Sequence, residues 1–287
     1  LFTFLIFSGA KLYKKSKKQH RMSAFLYLCA NILKKRMEIS LLQTNISWNS
    51  PQQNLKRATE MIEQAGKADL YVLPEMFTTG FATQPEGIAD STDEGLQWMK
   101  QMAQKTDAAI VGSIATDLGG GKYANRMYFV KPDGSVIYYD KHHLFSFGGE
   151  NERYTAGQER MIVEWRRVKF LLMVCYDLRF PLWNRNREEY DCALYVANWP
   201  TSRLEAWKTL LKARAIENQC YVCGVNRVGN DSACDYSGGT MFIDPYGRVA
   251  GECEEGKESC LTVKLNMLKL QLFRENFPVL KDRDQTV

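Results

Sequence analysis

The sequence predicts an α/β fold, an α-β-β-α sandwich in which two sheets face each other and helices cover both from outside. Three observations predict it. Apolar strand-like runs alternate with helix-period runs along most of the chain, the pattern of a layered fold. That alternation ends in a hairpin and then starts again. The segment Met241-Phe242-Ile243-Asp244-Pro245-Tyr246-Gly247-Arg248-Val249 also echoes Tyr128-Phe129-Val130-Lys131-Pro132-Asp133-Gly134-Ser135-Val136, so the two halves read as one β-α-β-α-β-β unit repeated. With 287 residues and 45% hydrophobic content, a single domain can bury such a core.

Taken in order, residues 39–44 alternate as a strand. A helix follows, with Leu55, Ala58, Met61, Ile62 and Ala65 at three- and four-residue intervals and Gly66 as its stop. The next strand, 69–73, runs into Pro74 and Glu75. Ser91 and Glu94 have the spacing of a capping box, which predicts a second helix with Leu96, Met99 and Met102 on its buried stripe. A strand at 108–114 leads to a hairpin, 126–130 and 136–139, turned by Pro132-Asp133-Gly134. The second unit then reads strand 170–174, a short helix opened by Pro181, and strand 192–197. A helix carrying Leu204, Trp207, Leu210, Leu211 and Ala215 and a final hairpin complete it.

Residues 1–36 stand apart, and the folded body is expected over 37–287. The first 36 residues hold nine Lys or Arg and no acid; subtracting those nine from the net charge of +5 leaves −4 on residues 37–287. A mildly acidic body lacks the clustered positive charge of a nucleic-acid-binding surface, so no nucleic-acid partner is expected. The apolar run 1–10 is too short to span a bilayer, and its charges follow it where a secretory signal has them in front, so no membrane partner is expected either. A start of translation at Met37 or Met22 is the preferred reading; a basic membrane-surface arm is its rival. Eight cysteines without regular spacing in a chain this long suggest a reducing cytoplasm. Cys220 and Cys223 lie in a strand-like run, so they read as a buried structural pair. No cofactor and no metal are expected, since three His in the chain leave little to complete a metal site.

Three strand ends present reactive groups straight after apolar runs: Leu73-Pro74-Glu75, Asp140-Lys141-His142-His143 and Met173-Val174-Cys175-Tyr176-Asp177. Taken singly, each has a plain explanation as a solvated cap, a surface charge or an inert core thiol. Together they supply what acyl transfer to a thiol requires. Cys175 is the nucleophile, Glu75 shielded from water passes its proton, and Lys141 stabilises the oxyanion with the Tyr176 backbone N–H as second donor. A Cys-His arrangement with His142 or His143 as base is the competing reading. The segment Gly251 to Lys257 falls one residue short of a phosphate loop and is rich in Glu, and no serine-hydrolase elbow occurs.

These stretches resemble the nitrilase superfamily of carbon–nitrogen hydrolases, over residues 37 to about 277. Asn198-Trp199-Pro200 and Ala213-Arg214-Ala215-Ile216-Glu217-Asn218 agree with it as well. The resemblance implies the nitrilase-type sandwich, a homodimer, and a second glutamate that orients the lysine, here Glu150 with Glu152 as competitor. Within the superfamily the likeness is to the omega-amidase branch. That implies a small-molecule amide substrate of the 2-oxoglutaramate kind, with an N-carbamoyl amine as the alternative. Such a pocket needs apolar walls and a cation for the distal carboxylate, for which Phe81, Trp199 and Arg203 are the candidates. Arg179 is read as a structural ion-pair partner, and the apolar stretch 268–280 as a segment able to reach a second subunit.

Overall fold

The computed structural model of the chain describes residues 36–284. Residues 1–35 lie outside the described ones, and with them the apolar run 1–10, Cys29 and all of the expected extension but its last residue. Arg36, assigned by sequence to the extension, is instead the first residue of strand β1 (Arg36–Gln43).

In chain order there follow α1 (Pro51–Ala65), β2 (Leu70–Val72), α2 (Glu94–Thr106), β3 (Ala109–Gly119), β4 (Lys122–Val130) and β5 (Val136–Asp140). The second run is β6 (Ile162–Trp165), β7 (Val168–Val174), α3 (Pro181–Asn184), β8 (Cys192–Ala197), α4 (Leu204–Asn218) and β9 (Tyr221–Asn226). The short ladder β10 (Val228–Asn230) and β11 (Asp235–Ser237) comes next, then β12 (Met241–Ile243), β13 (Val249–Glu252), β14 (Ser259–Asn266) and α5 (Met267–Asn276).

Hydrogen bonding shows the repeat directly. In the first sheet β1, β2 and β3 pair in parallel, and β4 and β5 continue antiparallel; in the second, β7, β8 and β9 are parallel, and β12 and β13 continue antiparallel. The echoing segments therefore hold equivalent places. Two edge strands were not foreseen. β14 returns to pair antiparallel with β1, from Arg36 opposite Asn266 to Gln43 opposite Ser259, and β6 pairs antiparallel with β7. Both bury few of their side chains, so polar residues interrupt the apolar signal that reveals a central strand.

The sheets face each other, as Phe129 of β4 and Phe170 of β7 show with ring centroids 6.0 Å apart. Ile39, Leu41 and Val111 from the first sheet share one core with Leu172 and Val196 from the second. On the outer face of the first sheet, Leu55 and Met61 of α1 and Met99 and Met102 of α2 cover Leu42, Tyr71 and Ile110. Trp207, Leu211 and Ala215 of α4 do the same for the second, which completes the four layers. The capping box expected at α2 is absent. Asp90, one residue before Ser91, does that work: its carboxylate accepts from the backbone N–H of Glu94 and Gly95 at 3.2 and 2.8 Å. Ser91 has no part in it.

Candidate active site

Four segments converge where the two sheets meet: the turn after β2 brings Glu75, the end of β5 brings Lys141, the end of β7 brings Cys175, and the end of β8 brings Asn198. Glu75, Lys141 and Glu150 are each 0% exposed. The Lys141 ammonium donates to Glu75 Oε1 at 2.9 Å and to Glu150 Oε2 at 2.8 Å. Burial pulls the lysine down, but Glu150 and Glu75 outweigh it, so the net shift is upward and the group is held charged. Glu150 is raised by burial, a tendency that Lys141 opposes and Glu75 reinforces. Its Oε2 also accepts from the Phe145 N–H at 2.7 Å. Glu152 is exposed and makes no bond to Lys141, so the glutamate beside the lysine is Glu150.

Asn125 completes this cluster and has no place in the sequence reading. Its amide donates to Glu75 Oε1 at 2.7 Å and to Glu150 Oε1 at 2.9 Å, while its own Oδ1 accepts from the Ser113 hydroxyl at 2.8 Å. That hydroxyl accepts in turn from the Met76 N–H. The sequence reading starts this strand at residue 126, four residues after β4 begins at Lys122, and so leaves Asn125 out. An Asn inside an apolar strand was the available signal.

Cys175 opens a 3-10 helix, Cys175–Arg179, with φ of +46°, the left-handed region that a non-glycine residue occupies only where its surroundings enforce it. Those surroundings are visible. Asp177 is fully buried and accepts from Val174 N–H within the turn, and from Tyr139 O–H, His143 N–H and His143 Nδ1 on the segment that carries Lys141. The Cys175 turn and the Lys141 segment, one from each sheet, are thereby fastened together. Gly157 presses on the same segment so closely that a Cβ there would lie 2.1 Å from the Asp140 carbonyl oxygen. Burial first, then the negative charge of Glu75, push the Cys175 thiol well above its ordinary range, and Lys141 pulls it partly back.

Both histidines are engaged elsewhere. His142 stacks on Trp183 with its Nδ1 at 2.6 Å from the Gly157 carbonyl oxygen, and His143 stacks on Phe180 beside Asp177. Cys220 and Cys223 are buried, yet the sulfur beside Cys223 is Cys192 at 3.8 Å, from the neighbouring strand.

In front of Cys175 lies a cavity of about 520 Å³ whose lining includes Phe81, Tyr176, Trp199 and Arg203, all expected there, and also Asn198 and Arg179. The Arg203 guanidinium lies over the Phe145 ring at 5.5 Å. Arg179 is corrected: it lies over the Trp199 ring at 4.9 Å, and neither arginine has a carboxylate partner among the described residues. The structural arginine is Arg214, whose Nε and Nη2 donate to the Leu178 carbonyl and whose Nη1 pairs with Glu217. Arg179 was misassigned because two arginines near the turn look alike in sequence, and the helix-borne one reaches its backbone. Asp231 also lines the cavity, but its oxygens are taken by Ala233 N–H, Cys234 N–H and Tyr236 O–H.

Comparison with known proteins agrees with this geometry. The carbon-nitrogen hydrolase family model matches residues 38–275, and the chain belongs to that family. It is 45% identical over 250 residues to the omega-amidase YafV of Yersinia enterocolitica, covering 87% of this chain and 97% of that one. It is 38% identical over 251 residues to the 2-oxoglutaramate amidase of Bacillus subtilis, with 85% and 96% covered. Among solved structures, a CN-hydrolase superfamily protein of Xanthomonas campestris with an arsenic adduct in its active site superposes with a TM-score of 0.84. The two are 40% identical, over 88% of this chain and 98% of that one. The chain is thus a hydrolase of non-peptide carbon–nitrogen bonds, in the omega-amidase branch of the nitrilase superfamily.

Proposed function

We propose that the chain hydrolyses the amide end of short 2-oxo dicarboxylic monoamides, such as 2-oxoglutaramate, through a thioester on Cys175. The observation that carries the reading is a cavity of about 520 Å³ lined by Cys175 and by two guanidinia, Arg179 and Arg203, that have no carboxylate partner among the described residues. A small acid can place its carboxylate on those cations while its amide reaches the sulfur.

Glu75 takes the thiol proton as Sγ attacks the amide carbon. Lys141 has spent two of its three N–H donors on glutamates; the third, with the Tyr176 N–H near the start of its 3-10 helix, meets the developing oxyanion. Collapse breaks the C–N bond, and Glu75 returns the proton so that ammonia leaves. Water, deprotonated by Glu75, then attacks the thioester and releases the acid and the thiol. Glu150 keeps the lysine aimed, and Phe81 and Trp199 are the apolar walls.

The test is ammonia release from 2-oxoglutaramate or succinamate beside a neutral amide, a nitrile and an N-carbamoyl amine of equal length. The acids should be preferred by a wide margin; preference for any other class overturns the assignment.

The domain is proposed as residues 37–287, supported by the family match from residue 38. A chain beginning at Met37 should fold and turn over normally. A homodimer is supported by exposed Leu272 and Phe277 on and after α5, and sedimentation should show twice the chain mass. No disulfide joins the seven described cysteines, which suits a reducing compartment such as the cytoplasm. No helix among the described residues is long and apolar enough to cross a membrane.

A further inference from the structure

We infer that Asn125 is a positioning residue for proton transfer: its amide bridges Glu75 and Glu150 and so fixes the Glu75 carboxyl group for exchange with the Cys175 thiol. The inference rests on the thioester mechanism proposed above. Asn125 is 0% exposed and lies outside the lining of the cavity that holds Cys175, so its effect on turnover passes through the groups it touches. Its amide nitrogen donates to Glu75 Oε1 at 2.7 Å and to Glu150 Oε1 at 2.9 Å, one N–H for each glutamate. The amide is held from behind. Its Oδ1 accepts from the Ser113 hydroxyl at 2.8 Å, and that hydroxyl accepts from the N–H of Met76, the residue after Glu75.

Glu75 thereby meets three donors, Asn125 and Lys141 on Oε1 and the Asn198 N–H on Oε2, which together fix the plane of its carboxyl group. Glu150 accepts from Asn125 on Oε1 and from Lys141 and the Phe145 N–H on Oε2. The bridge works because it is neutral and has two N–H groups. An apolar residue in its place leaves buried oxygens short of a donor, and a carboxyl group offers at most one proton where two N–H groups stood. The other titratable groups acting on this cluster are Lys141, held charged, and Cys175 and Tyr154, both raised by burial.

The experiment follows kcat and KM against pH for wild type, Asn125→Leu and Asn125→Asp, with whichever amide the enzyme turns over best, since Asn125 lies off the cavity wall. Asn125→Leu should lose about tenfold or more in kcat at every pH, with KM within about threefold of wild type. Asn125→Asp keeps the size of the side chain and adds a carboxyl group that burial raises above its ordinary range. Protonated in acid, that group donates; ionised, it faces two acceptors. Its kcat relative to wild type should therefore be highest in acid and fall about tenfold or more as pH rises. A role in packing alone leaves Asn125→Asp with a pH profile parallel to that of wild type, and that result overturns the inference, as does a change confined to KM. Should either variant fail to fold, Ser113→Ala decides: the amide loses its lock, kcat should fall about threefold or more at unchanged KM, and an unchanged kcat overturns the inference. Turnover by Cys175→Ala would overturn the thioester mechanism and this inference with it, a result distinguishable from a parallel pH profile in an enzyme that needs Cys175.

Discussion

The two sheets contribute unlike things to one site. From the first come Glu75, Lys141, Asn125 and Glu150, fully buried and mutually bonded, so that every carboxylate oxygen named has a donor. From the second come Cys175 on a strained turn and a cavity wall where Arg179 and Arg203 have no carboxylate partner among the described residues. The first arrangement is preorganised charge, which stabilises a transition state without reorganising. The second is unfinished until substrate enters. The difference predicts a division of labour: changes in the first cluster act on kcat and stability, and changes in the arginines act on KM.

The largest effects should fall on the reacting groups. Cys175→Ala should abolish turnover, and wild-type enzyme under turnover should show an acyl adduct on Cys175 by intact mass. Glu75→Gln and Lys141→Met should each lose on the order of 10²-fold or more in kcat. Lys141→Met should also cost roughly 3–5 kcal/mol of stability, since two buried carboxylates then lack their cation. With the cation gone, Glu150 is raised further, so the variant's deficit relative to wild type should be smallest in acid and widen as pH rises. A Lys141→Met protein as stable as wild type at neutral pH would break the picture of a tightly coupled cluster.

This division was only half legible in the sequence. Glu75, Lys141 and Cys175 could be read because each ends an apolar strand at a place where the fold puts ligands. The repeat was legible for the same reason: central strands buried on both faces leave unbroken apolar runs, as in Cys192–Ala197. What escaped was set by pairing across the chain. Asn125 touches Glu75 from 50 residues away, and β14 finds β1 from the far end of the fold. Nor could sequence tell Arg179 from Arg214, because which guanidinium reaches the Leu178 carbonyl depends on how α4 lies against the Cys175 turn.

The arginines test the other side of the comparison. Arg203→Ala and Arg179→Ala should each raise KM for the acid by about tenfold, with kcat changed far less, and should narrow its advantage over the neutral amide. Loss of kcat at unchanged KM would mean that these cations serve the transition state, and the two regions would no longer differ in kind.

The smallest expected effect is on the thiol itself, and it sharpens the comparison because the first sheet sets it through space. Burial, then the Glu75 carboxylate, raise the Cys175 thiol, while the Lys141 cation lowers it. At neutral pH the resting Cys175 is therefore a neutral thiol. Glu75→Gln removes the second of those causes, so the pH midpoint for alkylation of Cys175 by iodoacetamide should move down, and alkylation at fixed pH should quicken by less than about tenfold. Lys141→Met should move the midpoint up. Amide turnover falls in both variants, so the two readouts part company only in Glu75→Gln. A thiol raised on folding contributes stability below its unfolded value near 9, and that contribution is lost as pH rises through the folded value. Cys175→Ala should accordingly flatten the alkaline limb of the stability curve. If alkylation slowed in Glu75→Gln, the carboxylate would be acting on the thiol as a proton acceptor in that reaction too, and the field of the first sheet would not be what holds the thiol neutral.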